Sequence, residues 1–394
     1  MRPTAHDGPR AAWMRRAHGL GALLVLLSTP GTLGAQSSPE RLQAVRRFGS
    51  LDGPLAFTEI GSLVAVDTVL WVAQSREHVI RVVTKTGRLL QTLGGRGDGP
   101  GEYRRIDNLA FVDGEIVATD LGQRRSTFYD PAGKVLRTAP LPPAPTWGLM
   151  RWLGAPYAAV SGRMVLTASV PGVGEDAARL PVVLADSRGQ VLDTLAWFDQ
   201  NQVGVMIERD GRRVGFRHPL QRQELHSVSS DGRSFVGYEQ RGDSLSVTWY
   251  DLARGTRATR RVLAPPVRVP RAYADSTWRA VMETFNARGF SFTLREVQAG
   301  MRFPATWPAA NTVQAVPGGG AWLREPAFGG RAVTWRFLHR TLPVHILVRL
   351  DPSARILDQD ERFVWATVTD EYGVDYIVAY PVPDAVRAAL GGGS

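Results

Sequence analysis

Seven histidines, no cysteine and a few acidic turns are the main chemistry-bearing material in this 394-residue chain. His339 and His345 are six positions apart. On one strand they would share a face but stand roughly 20 Å from each other, too far to hold a metal between them. No HExxH, no helix-spaced histidine pair and no EF-hand loop occurs. Asp358, Asp360 and Glu361 form one acidic turn, and Asp370, Glu371 and Asp375 form another. Carboxylates so grouped can bind calcium weakly, although solvated turns use the same residues. His78, His218 and His226 read as surface or strand residues rather than bases. There is no GxSxG elbow, and neither Lys85 nor Lys134 has a serine three positions before it. No catalytic residue is assigned, and the chain reads as a binding module rather than an enzyme.

The strongest local signal is glycine-rich: Leu93-Gly94-Gly95-Arg96-Gly97-Asp98-Gly99-Pro100-Gly101-Glu102-Tyr103. Successive glycines could turn several N–H groups toward an anion, with Arg96, Arg104 and Arg105 adding charge. The plainer reading is a sharp crossover between sheets, which Gly and Pro permit. Arg96-Gly97-Asp98 is an RGD triplet, of the kind expected by chance in a chain with 41 glycines. Trp71, Trp249, Trp322, Trp335 and Trp365 fall in expected strands and read as packing residues.

The elements that must carry these residues repeat. Residues 67–92 lie over 113–138 without a gap: Leu70 falls on Ile116, Val72 on Ala118 and Val82 on Phe128. A period of 46 residues suits a four-stranded β-propeller blade. Blades are expected near 56–94 and 106–141. Looser copies follow around 163–197, 231–255 and 318–357, the last including 354–357. Residues 363–380 supply only part of a blade, and a strand around 42–48 is expected to complete it, which removes exposed edges. One segment breaks the pattern: over 275–288, Trp278, Val281, Met282 and Phe285 have helical spacing, with Asp275 or Ser276 as N-cap and Gly289 just beyond the end. It lies in an insert over 264–306 and is expected to pack on the propeller, with a lid over the channel as the alternative.

Arg10, Arg15 and Arg16 precede the apolar run GLGALLVLL at 19–27, and Leu33-Gly34-Ala35 resembles a signal-peptidase site. Residues 1–35 are therefore expected to be a signal peptide, with Met14 an alternative start and Arg15-Arg16 a hint of twin-arginine export. The run is short of the ~20 apolar residues of a membrane span. Cleavage would lower the formal charge from +10 to +7, because four arginines and Asp7 leave with it. Without cysteine there is neither a lipid anchor nor a disulfide, so a periplasmic or secreted chain must be held by its core. Basic residues are scattered among acids with no aromatic interleaving, which argues against nucleic acid as a partner. The mature chain is expected at 36–390 as a monomer, with 391–394 a flexible tail.

The link at 93–103, followed by Ile116-Val117-Ala118-Thr119-Asp120, Arg124 or Arg125, Phe128-Tyr129-Asp130 and Gly133, resembles bacterial NHL-like six-bladed β-propellers. Residues 370–380 are similar to the last blade of that group, while 150–306 depart from its consensus. The resemblance implies an all-β, six-bladed propeller, commonly exported and serving as a binding or scaffolding platform with its protein or small-molecule ligand at a channel mouth. Related six-bladed folds include calcium-dependent lactonases and a lyase. A calcium-using hydrolase or lyase with its site at the axis is thus the alternative, and no other cofactor is expected.

Overall fold

The computed structural model describes residues 23–24, 39–142, 151–152, 156–169, 179–199, 205–209, 212–216, 226–329 and 332–391. The segment expected to be a signal peptide, 1–35, lies outside them except for Leu23–Leu24, which pairs in parallel with Arg257 and Ala258. Among the described residues no helix is long and apolar enough to cross a membrane.

Six antiparallel sheets form the blades of a six-bladed β-propeller. Their innermost strands are Ile60–Val66, Asn108–Val112, Tyr157–Ala159, His226–Val228, Thr312–Val316 and Arg355–Gln359. Blade 1 continues outward through Val69–Gln74, Val79–Thr84 and Leu89–Gly94, and blade 2 through Glu115–Asp120, Arg125–Tyr129 and Val135–Pro140. These are the strands that the 46-residue repeat superposes. The repeat also carries the backbone: Asp67, His78 and Gly87 have positive φ, and so do Asp113, Arg124 and Gly133 at the matching positions. Glycine is needed at Gly87 because a Cβ there would come 3.0 Å from Phe48 Cγ.

Closure follows expectation. Arg46–Phe48 pairs antiparallel with Asp375–Pro381 and becomes the outer strand of blade 6, with Phe48 edge-on to Trp365 at 6.4 Å. Glu40–Arg41 adds in parallel to the outer strand of blade 5, and Leu42 is buried in the core shared by blades 5 and 6. Trp71, Trp249, Trp322, Trp335 and Trp365 are all fully buried between blades.

Four expectations need correction. Residues 355–357 belong to the inner strand of blade 6, not to blade 5, because the turn at 351–354 is itself the crossover. The insert helix, α1 (Arg271–Asn286), begins a turn earlier than expected. Pro270, with its φ preset at −65°, starts it without a side-chain cap, while Ser276 bonds back to Tyr273 O. Gly289 stands just past its end at φ +86°. Among the described residues the single helix becomes three. α2 (Leu294–Gly300) carries a Thr293–Glu296 capping box, and α3 (Asp384–Gly391) buries Val386 and Ala389 against blades 5 and 6. Gly391 of the expected tail therefore ends a helix, and 392–394 lie outside the described residues. Finally, the apolar face of α1 meets α2 and the hairpin Val205–Arg209/Arg212–Phe216 rather than the blades: Phe285, Val297, Met301 and Ile207 share one cluster. Val267–Arg268 pairs with Thr306–Trp307 and ties the insert at its base.

Candidate functional site

Inner strands of a propeller begin at one face and end at the other, so their first residues ring one mouth of the axial channel. Here that ring includes Ser62, Asn108, Tyr157, His226 and Arg355, around a cavity of about 160 Å³. Arg355 is exposed at the rim and donates to Ile60 O. Asn108 Nδ2 donates to Pro156 O at 2.8 Å, and Ser62 Oγ accepts from Leu109 N at 3.0 Å. These bonds tie blade 6 to blade 1, blade 1 to blade 2 and blade 2 to blade 3 at the mouth.

His226 stacks on Phe198 at 5.2 Å and stands edge-on to Tyr157 at 6.2 Å. Burial among these rings holds its pKa down to about 4, so the imidazole is neutral near pH 7. Its Nε2 lies 3.3 Å from Thr167 Oγ1. Asp107, also at the mouth, is neutralised by Arg105 and accepts from Leu121 N at 2.7 Å. The rim therefore presents one guanidinium, amides and hydroxyls around a neutral ring.

The opposite end is shut. Ser230, in the turn after the inner strand of blade 4, accepts from Phe111 N of blade 2 at 2.7 Å. Its hydroxyl donates to Asp358 Oδ1 of blade 6 at 2.8 Å, and Asp358 Oδ2 accepts from Ala65 N of blade 1 at 2.8 Å. Four blades thus meet at the axis. Asp358 is 1% exposed, and burial pushes its pKa up to about 7 despite these hydrogen bonds.

The acidic turn read at 358–361 is accordingly split. Asp358 faces the axis, whereas Asp360 accepts from Trp365 Nε1 at 2.8 Å and pairs with Lys85 at 2.7 Å. Burial alone would raise Asp360, but Lys85, Trp365 and two backbone amides outweigh it and hold the pKa low. In the second turn, Asp370 caps the N–H groups of Tyr372 and Val374, and Asp375 accepts from Ile60 N and Thr369 Oγ1. Among the described residues no three His, Asp or Glu side chains converge as a metal site.

The histidines also fall differently from the spacing argument. His339 and His345 flank a hairpin, with His345 opposite Leu338, instead of sharing a strand. Arg336 donates to His345 Nε2; burial first, then Arg336 and Arg260, hold that imidazole at about 4. His339 Nε2 is 3.1 Å from Gly318 O. His78 lies in a turn of blade 1, His226 reaches the axial mouth, and His218 is outside the described residues.

The glycine-rich link is the crossover from blade 1 to blade 2. Its N–H groups are spent internally: Gly95 on His78 O, Tyr103 on Gly95 O, and Gly99 on Glu102 Oε2 at 2.7 Å. Arg125 inserts its guanidinium among the carbonyls of Asp98, Gly99 and Glu102. Arg104 is matched by Asp98, whose pKa it lowers, and Arg105 by Asp107. The plainer reading of this loop, a crossover between sheets, is the one its hydrogen bonds follow.

Sequence reasoning read His226 as a surface or strand residue, without its place at the mouth, and missed Arg355 and Ser230. A three-residue inner strand such as His226–Val228 has no room for a legible alternation, and no motif spans residues brought together from six blades.

No protein-family model matches the chain, and no curated protein matches it. Among solved structures it is similar to the "Putative exported protein" of Bacteroides fragilis NCTC 9343, at 12% identity over 87% of this chain and 93% of that one, with a TM-score of 0.47. It is also similar to regucalcin, a calcium-binding protein of Agrobacterium tumefaciens strain C58, at 10% identity over 88% and 97% of the two chains and a TM-score of 0.42. Streptogramin B lyase follows at 11% identity, 85% and 97% coverage and 0.39. At such scores the six-bladed architecture stands on its own strand pairing, and the names transfer nothing.

Proposed function

We propose that this protein is an exported, monomeric binding module of the NHL-like propeller type, and that it takes a small carboxylate-bearing ligand at the open mouth of its axial channel. The blind axial cavity carries the reading: a cup of about 160 Å³, lined by Ser230, which Asp358 holds from behind, and by Arg355 at the rim. A guanidinium with no carboxylate partner among the described residues, beside a neutral imidazole and an amide, favours an anionic group over a cationic one.

The test is a thermal-shift titration with C3–C6 hydroxy- and dicarboxylates. A ligand at a hundred times its Kd adds about 2.7 kcal/mol of stability. At least one acid should raise Tm saturably, and Arg355→Ala should abolish the shift. A flat response to every acid would overturn the reading. EDTA treatment and calcium readdition should leave Tm unchanged. A loss reversed by calcium would instead favour a calcium-dependent hydrolase or lyase at the axis. Export rests on the arginines and apolar run of residues 10–27 and the small residues at 33–35. N-terminal sequencing of the protein from its native host should begin at Gln36, and light scattering should return one chain.

A further inference from the structure

Blade 4 has two unlike faces. Toward blade 5 it buries Val236, Leu245, Val247 and Trp249 against Val313 and Ala321. On the other face, strand register aligns Gly237, Thr248 and Thr259 in one row and Glu239, Ser246 and Arg261 in the next. Stacked sheets ordinarily fill the space between them with apolar side chains. Here small, hydroxylated and charged residues leave a cavity of about 390 Å³, walled on the far side by residues 194–198 of blade 3. Gly237 lines it where the Phe198 ring packs close, since a Cβ there would come 3.2 Å from Phe198 Cζ. His226, between Phe198 and Phe235, separates this cleft from the axial cup.

Two features mark the cleft as unfinished. Ser246 Oγ is buried there without a partner, an arrangement that costs free energy unless something supplies the hydrogen bond. Arg257 and Arg261 are exposed on the outer strand and enter no ion pair among the described residues, whereas Arg241 is matched by Glu239 at 2.8 Å. Their neighbour Arg260 points to the other face and caps the carbonyls of His339 and Leu342. The cleft therefore has a net positive charge, a hydroxyl-lined floor and an aromatic wall.

We infer that this cleft between blades 3 and 4 is a second binding site, for a carboxylated saccharide. Ligand hydroxyls complete Ser246, Thr248 and Thr259, whose own hydroxyls otherwise have only the 3.1 Å Thr248–Thr259 contact. A sugar's apolar face lies on Phe198. Planar carboxylates suit the guanidinium fork. Four residues of strand separate Arg257 from Arg261 by about 13 Å, which lets each guanidinium serve a different one of two linked rings.

Calorimetric titration of the full chain with digalacturonic acid tests this. Saturable binding is expected, with maltose silent and inorganic sulfate unable to compete at equal concentration. The double variant Arg257→Ala/Arg261→Ala should lose at least tenfold in affinity while keeping its Tm, since both side chains are exposed. Arg355→Ala, at the axial mouth, should bind as the unaltered chain does, which separates this site from the proposed axial one. No saturable binding, equal binding of maltose, full competition by sulfate, or undiminished binding by the double variant would overturn the inference.

Discussion

The hydroxyl of Ser230 donates to Asp358 Oδ1 across the propeller axis at 2.8 Å, joining blade 4 to blade 6 over 128 positions of sequence. With Ala65 N on its other oxygen, Asp358 is a floor tile shared by three blades. It is also a buried acid with its pKa pushed up to about 7, and this has a definite sign. Between the unfolded value near 3.9 and about 7, the folded chain binds the proton that the unfolded chain has released. The stability it contributes is full below pH 4 and is lost as pH rises through 7. Asp358→Asn keeps an acceptor for Ala65 N and removes the titration. Relative to the unaltered protein, the variant should gain stability from pH 5 to pH 8, by an amount of order 1–4 kcal/mol. Parallel urea melts would show it, and identical pH profiles would count against the shift.

At the other end of the channel His226 acts with the opposite sign. Its folded pKa of about 4 lies below the ordinary value of 6.5, so its contribution is complete above pH 6.5 and disappears as pH falls through 4. Ring-proton NMR should show this histidine still neutral at pH 5. His226→Phe, which keeps the stack on Phe198, should lose less stability on acidification from pH 6.5 to 4 than the unaltered chain.

Closure by the N-terminal strand predicts a strong dependence on residues far from any cavity. Deleting 36–50 removes the Arg46–Phe48 ladder, the Leu42 contact and the ring on Trp365 together, and should lower Tm sharply. Phe48→Ala alone is milder, about 2 kcal/mol for a half-buried ring against 3–5 for a fully buried one. An unchanged melting curve for the deletion would mean that the ring of blades does not need its latch.

Arg125 is predicted to be the stabilising residue of the glycine-rich link. Three carbonyls accept from one planar fork, so Arg125→Ala should cost about 2–3 kcal/mol. Arg125→Lys should recover only a minor part, since an ammonium cannot serve three carbonyls in that plane. Proteolysis at 96–102 should accelerate in both variants, and an unaltered cleavage rate would show that the glycines hold the loop by themselves.

Blades 1 and 2 were legible because their periodicity survives in the chain: Leu70 and Ile116, Asp67 and Asp113, and Gly87 and Gly133 occupy equivalent places and need equivalent residues. The strand at 46–48 was legible because residues 363–380 were short of a blade. The helix over Trp278 and Phe285 was visible by its spacing, although its start was not, since Pro270 needs no capping side chain. α3 went unseen because eight residues hold too few turns to show a face.

The order and type of strands, the number of blades and the burial of the tryptophans are local properties, set by alternation, turn residues and repeat length, and the amino-acid sequence determined them. The cup at the axis and the cleft beside blade 4 were decided only by the tertiary structure. Each inner strand gives one or two residues to the mouth, and His226, Arg355 and Ser230 meet because six sheets turn about a common axis. Closing the ring brings together side chains over a hundred positions apart, and no linear pattern records that meeting.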